Sequence, residues 1–63
     1  MKHAEVQYIS LGFKYERAQT PSAGQAAAQA IRTLLEAETI EDRTEARYLV
    51  ERGRQEARQG VAA

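Results

Sequence analysis

Ala4-Glu5-Val6-Gln7-Tyr8-Ile9-Ser10-Leu11-Gly12-Phe13-Lys14-Tyr15-Glu16-Arg17 is the stretch on which the fold of this chain turns. From Ile9 it alternates, with Ile9, Leu11, Phe13 and Tyr15 on one parity and Ser10, Gly12, Lys14 and Glu16 on the other. Alternation of this kind lines one face of a β-strand with apolar side chains. It predicts a strand over residues 4–17. Val6 and Tyr8 fall on the opposite parity, which calls for a bulge near Tyr8 or a second covered face. Gly12 marks a further bulge or a place where another backbone comes close. A hairpin folded at Gly12 lacks the Asn-Gly or Asp-Gly turn that favours one.

Nothing after residue 17 alternates in the same way. Thr20-Pro21 is a helix start, with Thr20 as N-cap and Pro21 in the first turn. A helix is predicted over residues 21–37. Its polar residues Gln25, Gln29, Arg32, Thr33 and Glu36 form a narrow sector, and Ala23, Ala26, Ala27, Ala30, Ile31, Leu34, Leu35 and Ala37 cover the rest. A helix apolar over so much of its circumference is buried on several sides, so this one is placed at the centre, with Leu34 in its buried face. Thr39 and Asp42 give the next capping signal, and Gly60 suits a C-terminal cap, so a second helix is predicted over residues 40–58. Its apolar stripe is narrower: Ala46, Leu49, Val50, Gly53 and Ala57, continuing to Val61. Gly53 is unfavourable inside a helix by about 1 kcal/mol against Ala, which points to a close crossing there. Arg47–Glu51 and Arg52–Glu56 have i,i+4 spacing. The short link makes the two helices an antiparallel hairpin, with the second helix peripheral.

The expected fold is therefore α+β: one N-terminal strand followed by a two-helix hairpin (β-α-α), in a single small domain with loose termini. A lone strand leaves a row of backbone N–H and C=O groups unpaired. The sheet must be completed by dimerisation or by a partner, through Val6, Tyr8, Ile9, Leu11, Phe13 and Tyr15. Size points the same way. A chain of 63 residues hides only about 60% of its unfolded surface. The chain has no Cys and one His, His3, so neither disulfides nor a conventional His/Cys metal site is available to reinforce it.

Composition excludes most chemistry. Nine Lys and Arg balance nine Asp and Glu, so no global field draws the chain to nucleic acid or to a membrane. No apolar run approaches the ~20 residues of a membrane span. With no secretory leader pattern at Met1-Lys2-His3, a cytoplasmic protein is expected. Ser10 and Ser22 lack a neighbouring base, so no catalytic nucleophile, cofactor or small-molecule substrate is expected. The acids Glu36, Glu38, Glu41, Asp42 and Glu45 surround the link between the helices. They read as charge favouring the second helix's N-terminus rather than as a cation cage. Glu36 and Glu38 sit where the first helix's dipole disfavours them, and call for an Arg elsewhere. Tyr8, Ser10 and Lys14 point away from the main strand face, as contacts for a ligand or partner or as an ordinary half-exposed sheet surface, the second being the favoured reading.

Arg43, Arg47, Arg54 and Arg58 share one ~60° sector of the second helix, bordering its apolar stripe. The stripe is a candidate contact for phosphate or for an acidic partner. Its alternative role is to cover the core's edge with aliphatic stems.

The order strand, helix, helix over Ala4 to Arg58 resembles the ribbon-helix-helix DNA-binding fold. That resemblance implies a dimer whose paired strands enter the major groove and a transcriptional regulator. The zero net charge and the acids Glu41 and Asp42 at the second helix's start depart from it, because they repel phosphate there. The leading expectation is a small non-enzymatic protein-interaction module (a regulator, adaptor or inhibitor) that acts as a homodimer or by strand addition to a protein partner.

Overall fold

The structure is a computed structural model that describes residues 1–60. It consists of three helices: α1, Glu5–Arg17; α2, Pro21–Glu36; and α3, Ile40–Arg58. The described residues contain no strand. The expected β-α-α, α+β arrangement is therefore replaced by a helical bundle, and with it goes the ribbon that carried the DNA-binding resemblance.

The first helix is supported by signals that alternation obscured. Tyr8, Leu11, Gly12 and Tyr15 follow the i, i+3, i+4, i+7 spacing of a helix face. Val6 and Tyr8, which a strand could accommodate only with a bulge or a second covered face, need no special provision in a helix. The Gln7 side chain accepts from the Ala4 N–H at 2.9 Å, and the Gln7 N–H bonds back to the Ala4 carbonyl at 3.0 Å. Glu5 lies in the first turn, and Lys14 and Arg17 in the last, as the helix dipole prefers. A helix also satisfies its own backbone, so no foreign strand is required.

The other two helices begin at their capping threonines. Thr20 Oγ1 accepts from the Ala23 N–H at 3.1 Å, with Pro21 in the first turn. Thr39 Oγ1 accepts from the Asp42 N–H at 3.2 Å. Beyond α3, Gly60 takes the left-handed conformation, φ 74°, that ends many helices. The extension of the α3 stripe to Val61 lies outside the described residues.

The organising contact joins α1 to α3. A Cβ placed on Gly12 would strike the Val50 backbone, and one on Gly53 would strike the backbones of Ile9 and Phe13. Each glycine thus lets the other helix's main chain settle where a side chain would stand. Tyr8 clusters with Ala46 and Leu49, Gly12 lies on Val50, and Glu16 reaches Arg54 and Arg58. The contacts advance together along both helices, so α1 and α3 run in the same direction. Tyr8, early in α1, reaches the carbonyl of Leu34, late in α2. The bundle is therefore up-down-up.

This placement corrects a second expectation. The pair α1–α3 forms the centre, and α2 is the peripheral helix, barely touching α3. Of α2's apolar residues only Ala27 is buried, while Ala23 and Ala26 are exposed. Alanine side chains are too short to fill a wide space, so apolarity around the whole circumference did not translate into burial. The stripe of α3 is buried at Ala46, Leu49 and Gly53. The core is small: Tyr8, Ala46 and Leu49, with Ile9, Leu34, Leu35 and Val50 packed around them.

One polar cluster locks the ends of the helices together. Glu38, 5% exposed, sits in the turn between α2 and α3. Its carboxylate accepts from the Tyr8 hydroxyl at 2.6 Å, the Lys2 N–H at 2.7 Å and the His3 N–H at 3.2 Å. The Met1 amine pairs with Asp42 at 3.3 Å. Burial opposes the Glu38 charge, but the three donors outweigh it and hold the carboxyl below its ordinary range. Burial, and then the bond to Glu38 and its charge, push the Tyr8 hydroxyl well above the usual tyrosine range.

Candidate functional site

Because α2 leans on α1 and scarcely meets α3, a groove remains open between α2 and α3. Ala28, Ile31, Arg32 and Leu35 form its α2 wall, and Arg47, Val50 and Arg54 its α3 wall. Tyr15 of α1 also lines it. Ile31, Leu35 and Val50 are each half-buried, so they present apolar surface at the floor.

The three arginines differ in freedom. Arg54 Nε bonds to Glu16 at 2.9 Å, and its guanidinium lies 5.1 Å from the centre of the Tyr15 ring. The bond from Arg54 lowers the Glu16 carboxyl below its ordinary range against a smaller effect of burial, and the Arg58 charge adds to it. Arg54 is thereby fixed and neutralised beside Tyr15. Arg32 and Arg47 are exposed. Among the described residues neither has an ion-pair partner. They stand on opposite walls of the groove as two free cations.

The sequence-derived stripe is therefore largely consumed inside the fold. Arg43 Nε donates to the Leu35 carbonyl at 2.8 Å, and its Nη2 donates to the Glu36 carbonyl at 3.3 Å. It caps the end of α2, where orphan carbonyls and the dipole welcome a cation. Arg58 bonds to Glu51 at 2.8 Å and pairs with Glu16 at 3.3 Å. Arg54 also approaches Glu51 at 3.6 Å, so Glu51 is taken up by Arg54 and Arg58 and the expected Arg47–Glu51 pair does not form. The Arg52–Glu56 pair does, at 3.4 Å. Of the four stripe residues only Arg47 remains for a ligand. Its companion Arg32 was legible as a polar residue of the first predicted helix, but its position opposite Arg47 depends on how α2 packs.

The residues expected to pair strands do not form one edge. Tyr8 is buried at the polar lock, and Ile9 packs toward α3. Leu11 and Phe13 border a second groove between α1 and the first half of α2. Phe13 lies beneath the Arg17 guanidinium, 5.4 Å from the ring centre. Val6 is exposed, and Tyr15 lines the α2–α3 groove. No strand is present there for a partner to extend.

The acidic group at the link is dispersed as well. Glu38 turns inward, Asp42 meets the Met1 amine, and Glu36, Glu41 and Glu45 are exposed. Among the described residues no group of three or more His, Cys, Asp or Glu side chains is placed to hold a metal ion. Among the described residues no helix is long and apolar enough to cross a membrane. Comparison with protein-family models, with curated proteins and with solved structures gives no match.

Proposed function

We propose that this chain is a small non-enzymatic protein-interaction module that docks a helix, from a second copy or from another protein, in the groove between α2 and α3. The observation that carries the reading is the groove itself: Ile31, Leu35 and Val50 are left half-exposed along a channel bounded by two helices. Apolar side chains held between two helices are what an amphipathic helix requires of a receptor. The small core adds to this, because a domain this size gains stability by covering further apolar surface on association. Strand addition has no place in this reading, since the segment that would have offered an edge is helical.

Photo-crosslinking tests it. A benzophenone side chain at Leu35 should give a covalent adduct with a protein, either a second copy in purified material or another chain in lysate. The same group at Gln55, exposed on α3, should give none. Light scattering behind a sizing column separates the two kinds of adduct. A purely monomeric protein that yields no adduct from Leu35 in either setting refutes the proposal.

A further inference from the structure

We infer that the occupant of the α2–α3 groove is an amphipathic helix of another protein whose apolar stripe is flanked by acidic residues. The inference rests on the docking role proposed above. Its own support is the charge on the two walls. Arg32 on α2 and Arg47 on α3 flank the apolar floor, and among the described residues both lack an ion-pair partner. The third arginine, Arg54, is already neutralised by Glu16. A helix lying along Ile31, Leu35 and Val50 would pass between Arg32 and Arg47. Acids on both its flanks would meet them, and lysines there would be repelled.

A second copy of the chain does not supply such a helix. The exposed side of α1 carries Lys14 and Arg17 against a single exposed acid, Glu5, in its first turn. No acid occurs in α2 before Glu36. The exposed surface of α3 bears Ile40 and Tyr48, but sets Arg47 and Arg52 beside Glu41 and Glu45. Seating any of these would bring cation against cation at one wall. Duplex nucleic acid would satisfy the two arginines but leave the apolar floor uncovered.

The test uses the full chain and three probes labelled for fluorescence anisotropy. Two are synthetic helical peptides with one leucine stripe at i, i+3, i+4, i+7, flanked in one by Glu and in the other by Lys. The third is a duplex oligonucleotide. The Glu-flanked peptide should bind roughly tenfold or more tightly than either other probe, with an affinity that falls as salt rises. The doubly reversed variant Arg32→Glu/Arg47→Glu, confirmed as folded by its circular dichroism melt, should prefer the Lys-flanked peptide instead. Equal binding of the two peptides, an unchanged preference in the variant, or tighter binding of the duplex overturns the inference. So does a covalent dimer from benzophenone at Leu35 that the Glu-flanked peptide cannot suppress. If neither peptide binds while Leu35 still crosslinks a protein, the acidic-helix inference falls and the docking groove stands. If Leu35 crosslinks nothing, both fall.

Discussion

Replacing Gly12 or Gly53 by alanine should destabilise the protein, and replacing Gly24 should stabilise it. All three glycines lie inside helices, where Ala is intrinsically better by about 1 kcal/mol. On helix propensity alone, each substitution raises stability. The surroundings reverse the sign at two of them. A methyl on Gly12 would sit 2.8 Å from the Val50 carbonyl carbon, and one on Gly53 would sit 2.8 Å from the Ile9 carbonyl carbon and 2.9 Å from the Phe13 nitrogen. These neighbours are backbone and cannot rotate aside, so α1 and α3 must separate. Overpacking of this kind costs about 1–3 kcal/mol, and the upper end applies where main chain meets main chain. After the propensity gain is subtracted, a net loss of about 2 kcal/mol remains. For a domain this small that corresponds to a fall in Tm of roughly 8–16 °C. At Gly24 the nearest obstacle is the Ala18 Cβ at 3.9 Å, an ordinary contact, so Gly24→Ala should raise Tm by a few degrees, about 4–8 °C at most. Thermal melts followed by circular dichroism read all three. If Gly12→Ala and Gly53→Ala raise Tm as Gly24→Ala does, the close α1–α3 crossing is wrong.

Further outcomes follow from the core and its polar lock. Tyr8→Phe removes the hydroxyl that donates to Glu38 at 2.6 Å, and should lower the denaturant-derived stability by about 1.5–3 kcal/mol, as for a hydrogen bond to a charged group. In wild type, Tyr8's pKa is raised in the folded state, so its contribution is complete below the usual tyrosine value of about 10 and is lost as pH climbs above it. Alkaline absorbance titration should therefore show a late phase that Tyr8→Phe abolishes. Glu38 has the opposite sign: its folded-state pKa is lowered from 4.5, so its contribution is present above that value and lost as pH falls below it. Glu38→Gln should flatten the acid limb of a stability–pH profile. Leu49, 5% exposed, should lose about 2–5 kcal/mol on change to Ala, and Leu34, only half-buried, should lose less.

Residues 1–17 show how local pattern and tertiary packing compete. Ile9 to Tyr15 satisfies strand alternation, and Tyr8, Leu11, Gly12 and Tyr15 satisfy the helical period equally well. The deciding facts were physical. A strand needed an exception at Val6 and Tyr8 and a partner from outside, whereas a helix needed neither. The capping threonines Thr20 and Thr39, the stripe from Ala46 to Ala57 and the close approach at Gly12 and Gly53 were all readable, because each depends on a local conformational requirement. The groove was not. It depends on α2 leaning toward α1, and nothing in α2's own residues says which side its alanines will leave open. Glu38 lay between the two cases. An acid at the end of a helix demanded a partner, but the partner proved to be Tyr8 and two backbone amides rather than an arginine.

Most direct is a two-dimensional nuclear Overhauser spectrum of the isotopically labelled protein. The three-helix arrangement predicts cross-peaks from the Gly12 Hα protons to Val50 and from the Gly53 Hα protons to Ile9, together with sequential amide–amide peaks through Glu5–Arg17. Strong cross-strand Hα–Hα peaks within residues 4–17, without either glycine contact, would contradict it.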